Sequence, residues 1–362
     1  MQTSRDIFSE AARLQSVFLA AGAAEVQADI LQPAETLLDL YGEDIRARAY
    51  VTSDALRGEQ MLRPDFTVPV VQMHMENGAE PARYTYNGIV FRRQEDDPNR
   101  ANEYVQVGYE VFDRANPAET DAEVFALIHS ALQGSSVRPV TGDIGILTAA
   151  VQGLNTSDRR KTALMRHIWR PRRFRALLDR FAGRTPVPQT RAALLSVQDP
   201  FKNAGPFNGL RSKSEIQDRI DALCEDAQAP AISTDDMALI DAILTVSDTC
   251  PVALDKLRVL AGAAPNLTDA VERLSHRIDA LENQGIAVDT LMFEASYGRT
   301  SMEYYDGFVF GFYAVDHPQL PPVATGGRYD ALTRRLGQGA EIPAVGGVIR
   351  PDLTLGITGG SR

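Results

Sequence analysis

Hydrophobic positions recur along this chain with two periods, and each period predicts a different element. In residues 4–21 apolar side chains stand three or four positions apart, as at Leu14 and Phe18, and the segment ends at Gly22. This spacing predicts an amphipathic helix. Residues 105–111 instead alternate between apolar side chains and polar or small ones, which predicts a strand with two distinct faces.

The alternating strand belongs to a predicted hairpin. Residues 83–91 and 103–112 are both rich in Tyr, Phe, Val and Ile, and the polar loop between them contains Asp96 and Asp97. We therefore expect an antiparallel pair of strands with a long, charged tip at residues 94–103. The two aspartates are typical of a turn, and a metal-binding role is the alternative.

One face of this strand is a candidate ligand site. Gln106 and Glu110 stand on either side of Gly108 on that face, so a ligand could approach the backbone between an amide and a carboxylate. An ordinary half-exposed strand is the alternative interpretation. Glycines also share one face of the predicted strand at 307–313, where approach of a ligand and packing against a helix both remain open.

The remaining pattern predicts an α/β (α+β) body interrupted by a helical insertion. Helical periodicity dominates from residue 156 to about residue 285, and strand patterns then return. Thr325-Gly-Gly-Arg-Tyr-Asp330 predicts a tight glycine turn before a helix, and residues 343–349 predict a buried strand. We therefore divide the chain into a core of residues 1–150 and 286–362 and a helical insertion of residues 151–285.

Composition and charge narrow the classes of function. The chain has 362 residues and a formal net charge of −11, which argues against broad, nonspecific nucleic-acid binding. No stretch approaches the ~20 apolar residues of a membrane span and no signal pattern begins the chain, so we expect a cytoplasmic protein. Cys224, Cys250 and the five scattered histidines lack metal-ligand spacing, so we predict no metal and no cofactor.

One local segment is strongly basic. Residues 159–184 contain ten Lys or Arg and a single acid, Asp179. A solvated helix face is the usual meaning of such a run, and docking of an acidic partner or RNA is the alternative. His74 and His129 have no patterned partner, so we interpret them as helix residues rather than catalysts.

Three separated segments present polar side chains on predicted strands or turns. Carboxylates and an amide suit an ammonium group or a ring N–H, and a guanidinium suits a carboxylate. Nucleophile-elbow, P-loop and dinucleotide motifs are absent from the sequence. We therefore expect a pocket for a small zwitterion and no catalytic residues. The segments are Arg63 with Asp65 and Thr67, Arg92 with Gln106 and Glu110, and Tyr304 and Tyr305 with Gly326, Gly327 and Arg328.

Several ordered motifs resemble those of class II histidyl-tRNA synthetases. The run from Arg83 through Phe91-Arg92-Arg93 to Gly108-Tyr-Glu-Val-Phe112 resembles motif 2 of that family. Leu62-Arg-Pro-Asp-Phe-Thr67 resembles its Leu-Arg-Pro-Glu-Gly-Thr, Glu303-Tyr-Tyr305 resembles its Asp-Tyr-Tyr, and residues 326–346 resemble the approach to motif 3. The resemblance implies an antiparallel sheet flanked by helices. It also implies a histidine pocket lined by Asp65, Thr67, Arg92, Gln106, Glu110, Tyr304 and Tyr305.

The same comparison shows departures at the positions that serve ATP. Gln94 replaces the carboxylate that contacts adenine, and Thr300 replaces the arginine of the family's signature. Arg299 lies one place earlier, which on a strand would point to the opposite face. Motif 3 lacks its arginine, and we expect Pro351 to disrupt the helix start there. We also expect no anticodon-binding domain after motif 3.

A kept histidine pocket with altered ATP-binding residues resembles the regulatory subunits of ATP phosphoribosyltransferase. In that family a synthetase-like chain joins a short-form catalytic subunit in a hetero-oligomer, is required for activity, and allows feedback by histidine at the first step of histidine biosynthesis. The resemblance implies L-histidine as effector, a self-dimer, and neither tRNA nor a membrane as partner. The alternatives are a truncated histidyl-tRNA synthetase-like adenylating ligase and a tRNA-sensing module.

Overall fold

The computed structural model describes residues 3–41, 45–93, 100–202, 204–299 and 304–358. Among these residues no helix is both long enough and apolar enough to cross a membrane. The predicted hairpin tip with Asp96 and Asp97, and the signature positions 300–303, lie outside the described residues.

The strands form a large sheet and a small one. In the large sheet the order is β1-β5-β6-β12-β11-β10-β7-β9-β8, antiparallel except between β1 and β5 and between β7 and β9. The small sheet has the order β2-β4-β3. The strands are β1 (Ala24–Glu25), β2 (Leu31–Pro33), β3 (Val51–Asp54), β4 (Gly58–Leu62), β5 (Ala82–Phe91), β6 (Glu103–Phe112), β7 (Val137–Asp143), β8 (Ser247–Thr249), β9 (Met292–Glu294), β10 (Phe308–Ala314), β11 (Ala324–Arg328) and β12 (Ala344–Ile349).

Helices flank the large sheet and make up the predicted insertion. They are α1 (Ser4–Ala20), α2 (Ala34–Tyr41), α3 (Ile45–Arg48), α4 (Thr67–Asn77), α5 (Pro117–Ala131), α6 (Ile144–Gly153), α7 (Asp158–Arg166), α8 (Pro171–Phe181), α9 (Gln189–Ser196), α10 (Lys213–Gln228), α11 (Thr234–Leu244), α12 (Cys250–Ala263), α13 (Thr268–Asn283), α14 (Asp330–Leu336) and α15 (Pro351–Thr358). The predicted class, an antiparallel sheet flanked by helices, is confirmed.

The predicted hairpin forms, and it lies inside the large sheet rather than at a surface. β5 and β6 pair over ten residues each, and β12 covers the other edge of β6. Gln106 and Glu110 are 3% and 1% exposed. The half-exposed strand is therefore excluded, because both faces of β6 are covered.

One face of the sheet is aromatic and packs against helices. The ring of Phe125 on α5 lies 6.3, 5.4 and 5.2 Å from the rings of Phe308, Phe310 and Phe312 on β10. All four rings are buried, and each contributes about 2 kcal/mol or more through the apolar area that it removes from water. Helix packing thus accounts for this face of β10, and the glycines lie on the other face.

The predicted glycine turn at 325–330 is wrong, because residues 324–328 form β11 between β10 and β12. The glycines there are needed for close packing within the sheet. A Cβ atom on Gly326 would overlap the Phe310 ring and the Gly346 carbonyl, and one on Gly327 would lie 2.7 Å from the Phe308 carbonyl oxygen. The helix that we expected after this segment is present as α14.

Two expectations about backbone geometry also fail. Pro351 does not disrupt a helix; it begins α15, because the first helical position needs no N–H donor and proline already has a helical φ. Arg299 lies in a turn at 295–299, so the alternation of a strand does not decide where its side chain points. The Arg299 side chain is buried at 5% exposure.

The chain divides into two compact units. The first contains residues 1–146 and 245–362, and the second contains residues 147–244. We expected the insertion to end at residue 285, but α12 and α13 pack within the first unit, where α13 lies against α5. Helical periodicity alone could not reveal this, because the period is the same in an insertion and in a helix that covers a sheet.

A buried network of charges fastens α13 to the first unit. Arg277 of α13 donates to Asp121 Oδ2 at 2.7 Å and to Asp143 Oδ2 at 2.8 Å. Arg328, at the end of β11, donates to Asp121 Oδ1 at 2.9 Å and to Thr120 Oγ1 at 3.0 Å. The Asp121 carboxylate therefore joins α5, α13 and β11 at a site that is 1% exposed.

Part of the basic segment is structural within the second unit. Arg160 is 8% exposed, donates to Asp226 Oδ1 at 2.7 Å, and lies over the Phe181 ring. Arg175 pairs with Asp179 and Asp241. These contacts neutralise some of the charge internally, while other arginines of the segment, such as Arg172, remain exposed.

We predict that Asp121→Ala lowers the free energy of unfolding by about 3–5 kcal/mol, because it leaves two buried guanidinium groups without their shared carboxylate. The measurement is urea unfolding of the full chain, followed by circular dichroism. Asp279→Ala, at an exposed position of α13, is the control and should cost less than about 0.5 kcal/mol. Equal effects of the two substitutions would contradict a central role for Asp121.

Candidate functional site

The carboxylate of Glu110 lies at the centre of the candidate site. Its Oε1 atom accepts hydrogen bonds from the Thr67 hydroxyl at 3.0 Å and from the Tyr86 hydroxyl at 2.8 Å. Its Oε2 atom accepts one from the Tyr329 hydroxyl at 2.6 Å. The three donors come from α4, from β5 and from the residue after β11, so the carboxylate joins three separate parts of the chain.

A glycine on the neighbouring strand gives this carboxylate its space. Gly346 of β12 pairs directly with Glu110 of β6, and paired residues of antiparallel strands point to the same face. A Cβ atom on Gly346 would overlap the Glu110 carboxylate. The Glu110 side chain therefore lies across its neighbour instead of pointing away from the sheet.

Asp65 and Arg92 form a second charged part of the site. Asp65 is 3% exposed, and its Oδ1 atom accepts the Val68 backbone N–H at 3.3 Å, at the start of α4. Its Oδ2 atom lies 3.9 Å from Arg92, and the Arg92 Nε donates to the Pro64 carbonyl at 2.7 Å. The Arg92 side chain keeps partial exposure of 29%, so its guanidinium can still reach a ligand carboxylate.

The structure changes the interpretation of Gly108. We expected a ligand to approach the backbone there, but the ring of Tyr86 lies over Gly108, where a Cβ atom would overlap it. The ring of Phe66 stacks on Tyr86 with centroids 4.3 Å apart. The space between Gln106 and Glu110 is therefore filled by Tyr86, and Gly108 is required for that packing.

Gln106 has an unsatisfied polar atom. Its Oε1 atom is buried and has no hydrogen-bond partner among the residues that the structure describes. Gln106 pairs with Gly88 on β5. The side chains nearest to Gly88 are the guanidinium of Arg63 and the ring of Phe66. A buried carbonyl oxygen without a partner costs about 1–3 kcal/mol, which a ligand N–H donor would recover.

The two predicted tyrosines lie beside the Glu110 cluster. The ring centroid of Tyr304 lies 4.9 Å from that of Tyr305 and 6.0 Å from that of Tyr329. Tyr305 is buried and covers Gly327, and burial raises the pKa of its hydroxyl, with the Glu110 charge adding to the effect. Tyr304 and Tyr305 therefore belong to the same face of the sheet as Glu110.

Burial has a strong electrostatic effect on Glu110. Loss of hydration raises the pKa of its carboxyl to about 7, against the opposing effect of the three hydroxyl donors. The nearby Asp65 charge adds to the increase. Near neutral pH the site therefore exchanges a proton at Glu110, and a ligand cation would favour the charged carboxylate.

Sequence reasoning missed three residues of this site, namely Phe66, Tyr86 and Tyr329. The period-two pattern does place Tyr86 on the Gly88 face of β5, but the strand pairing that brings it over Gly108 cannot be derived from one strand. Phe66 stands where the resembling motif has glycine, which was the only available signal for it. Tyr329 carried no signal, because we expected a turn there.

The two candidate histidines from the sequence take no part in this site. His74 and His129 lie in α4 and α5, as predicted, and burial lowers the pKa of both imidazoles. The His74 ring stacks on Phe112 with centroids 4.0 Å apart. No group of three or more potential metal ligands occurs within the described ranges.

The arrangement has the hydrogen-bonding groups that the sequence analysis expects for a small zwitterion. Asp65, Glu110 and the Gln106 carbonyl offer acceptors to N–H groups, while Arg92 offers a guanidinium to a carboxylate. All of these side chains come from β6 or from segments beside it. The sheet, the helices behind it and these residues together define a class II aminoacyl-tRNA synthetase-like protein.

Comparisons with known proteins narrow this class to a family. The profile of the family described as histidyl-tRNA synthetase matches residues 2–229 and 212–352. The chain is 30% identical to the ATP phosphoribosyltransferase regulatory subunit of Brucella anthropi, with 89% of each chain covered. It is also 30% identical to the protein of the same name from Mesorhizobium japonicum, with 93% of this chain and 94% of that one covered. The chain belongs to this family of histidyl-tRNA synthetase-like regulatory subunits.

Solved structures support the fold. A crystal structure described as an ATP phosphoribosyltransferase regulatory subunit/histidyl-tRNA synthetase from Bacillus halodurans matches with a TM-score of 0.69 at 20% identity, covering 99% of this chain and 82% of that one. A histidine–tRNA ligase subunit from Alicyclobacillus acidocaldarius matches with a TM-score of 0.63 at 24% identity, covering 99% and 96%. At such identities the likeness establishes the fold alone.

We predict that the free energy of unfolding falls as pH rises from about 5 to about 8. A carboxyl whose folded pKa is raised binds its proton more tightly in the folded state, so its stabilising effect is complete below its unfolded pKa and disappears through pH 7. For Glu110 the difference amounts to about 3 kcal/mol. Urea unfolding at several pH values measures it.

Glu110→Gln should reduce this pH dependence without abolishing it, because burial also raises the pKa of Asp306 to about 7. Glu59→Gln, at an exposed position of β4, is the control and should leave the slope unchanged. An identical slope in Glu110→Gln and the original chain would show that Glu110 titrates normally.

Proposed function

We propose that this chain is the non-catalytic regulatory subunit of an ATP phosphoribosyltransferase, required for the first step of histidine biosynthesis and for its feedback regulation by histidine. The observation that carries the proposal is the match to regulatory subunits over about nine-tenths of the chain. The proposed partner is a short-form catalytic subunit in a hetero-oligomer. A self-dimer and a cytoplasmic location remain predictions from the sequence.

The proposed effector pocket is the site around Glu110. Asp65, Gln106 and Glu110 would accept hydrogen bonds from the ammonium group and the imidazole N–H of histidine, and Arg92 would bind its carboxylate. Thr67 would position Glu110 through its 3.0 Å hydrogen bond, and Tyr304 and Tyr305 would close the pocket. The unsatisfied Gln106 Oε1 atom is the strongest single support for a ligand here.

Regulation then requires histidine to bind one state of the complex more tightly than another. Coupling of about 1–3 kcal/mol between the pocket and the partner is sufficient for ordinary feedback. Because Glu110, Thr67 and Tyr329 connect β6, α4 and the residue before α14, a ligand that displaces one of them would move the others.

The second candidate is an adenylating ligase, which the histidyl-tRNA synthetase profile favours. The departures at Gln94 and Thr300 speak against it. Arg350, near motif 3, donates to Asp352 at 2.9 Å, and its guanidinium lies 4.1 Å from the Tyr104 ring. A guanidinium engaged in this way would have to be released before it could bind a phosphate.

We predict that the purified chain activates a short-form ATP phosphoribosyltransferase on mixing and that L-histidine inhibits the assembled complex. The readout is phosphoribosyl-ATP formation, together with co-elution in size-exclusion chromatography. The same preparation should show no histidine-dependent ATP–pyrophosphate exchange and no charging of tRNA. Exchange above background, without activation of the partner, would favour the ligase and overturn the proposal.

We predict that Gln106→Ala weakens histidine binding about tenfold, because it removes an acceptor that nothing else in the described part of the chain uses. Titration calorimetry on the assembled complex measures the Kd, and Gln284→Ala, at the exposed end of α13, is the matched control. Activation of the partner should persist in both variants. An unchanged Kd for Gln106→Ala would show that histidine binds elsewhere.

A further inference from the structure

A cleft of about 560 Å³ opens on the helix-covered side of the large sheet. It is lined by the start of α5, by α13 and α14, and by the end of β11. Arg328 pairs with Val345, and Asp143 pairs with Phe308. Both partners lie on the helix-covered face of the sheet, so Arg328 and Asp143 lie on the face opposite Glu110. The cleft is therefore separate from the candidate histidine pocket, and its volume is that of a small-molecule site.

The rim of the cleft is positively charged. Arg273 and His276 stand one turn apart on α13 and are exposed, and Arg273 has no ion-pair partner among the described residues. Arg334 of α14 pairs with Glu341 at the same rim. The Arg273 guanidinium is therefore available to bind a ligand.

The floor carries a carboxylate, Asp306, that forms no ion pair with another described residue. Arg277 and Arg328 are already matched by Asp121, Asp143 and Asp330. Asp306 instead accepts the backbone N–H groups of Asp330 and Ala331 at 3.1 and 2.7 Å. Burial raises the pKa of the Asp306 carboxyl to about 7, and the charge of Asp330 adds to this effect. A cation placed beside Asp306 would reverse this effect.

The charge distribution selects among ligand classes. The other charged residues of the lining pair with one another, so Asp306 would repel a polyphosphate and Arg273 would repel a polyamine. A molecule with one carboxylate and one ammonium group satisfies both ends, with Arg273 at the rim and Asp306 at the floor. We propose that this cleft is a second binding site of the chain, for a small zwitterion of the α-amino acid class.

The two sites share two backbone segments. Tyr305 lines the Glu110 pocket and its neighbour Asp306 lines the cleft, while Tyr329 donates to Glu110 and its neighbours Arg328 and Asp330 line the cleft. The Asp306 backbone N–H donates to the Arg328 carbonyl at 3.0 Å and ties the segments together. A ligand in the cleft is thereby coupled to Tyr329 and Glu110, and by linkage the coupling is reciprocal.

The test is titration calorimetry on the full chain. L-histidine is titrated first, and the remaining proteinogenic amino acids are then titrated one at a time. We expect at least one of them to bind with a Kd that Arg273→Glu and Asp306→Asn each weaken about tenfold or more. Arg172→Glu is the matched control, because Arg172 is an exposed arginine of α8 outside the cleft, and it should leave this Kd unchanged. Circular dichroism verifies that each variant is folded.

Three outcomes would overturn the proposal. They are no binding of any amino acid, a Kd equal in Arg273→Glu and Arg172→Glu, and binding that only Gln106→Ala removes, which would place the ligand in the Glu110 pocket. Arg273→Glu decides alone if Asp306→Asn does not fold. The titration needs no catalytic subunit, so failure to activate ATP phosphoribosyltransferase would count against the proposed function and leave this result intact.

Discussion

The Asp121 carboxylate, shared between Arg277 and Arg328, is the interaction on which the first unit depends. It joins α5, α13 and β11 at a position that is 1% exposed. Isolated buried charges are costly, so each member of this group holds the others in place. The arrangement fixes the end of β11, and the end of β11 in turn delivers Tyr329 to Glu110 on the other side of the sheet. Packing on the helix-covered face thus affects the geometry of the face that carries Glu110.

The sheet keeps its two faces different through the choice of small and aromatic residues. Phenylalanines of β10 bury apolar area against α5, whereas glycines of β6, β11 and β12 leave room for Tyr86, Tyr305 and Glu110 to lie flat on the other face. A polar site of this kind requires close approach between side chain and backbone, which only glycine permits.

Much of this could be predicted from the sequence, for identifiable reasons. The β5–β6 hairpin was predictable because alternation and turn residues are local signals. The boundary at residue 245 was not, because α12 and α13 have the same period whether they form an insertion or cover a sheet. The hydroxyl donors of Glu110 were not predictable either. Tyr86 contacts Glu110 because β5 pairs with β6, and Tyr329 is more than two hundred residues away from Glu110 in the sequence. The turn predicted at residues 325–330 failed because glycine also serves close packing inside a sheet.

The Glu110 carboxylate fills the space in which a side chain at position 346 would begin. The two positions therefore cannot vary independently during descent. A lineage that replaces the glycine must first shorten or lose the glutamate, and one that has lost the glutamate is free to fill the gap. The pair thus gives a test that needs only sequences. Among relatives, a side chain at position 346 should mark those that have given up the carboxylate at position 110.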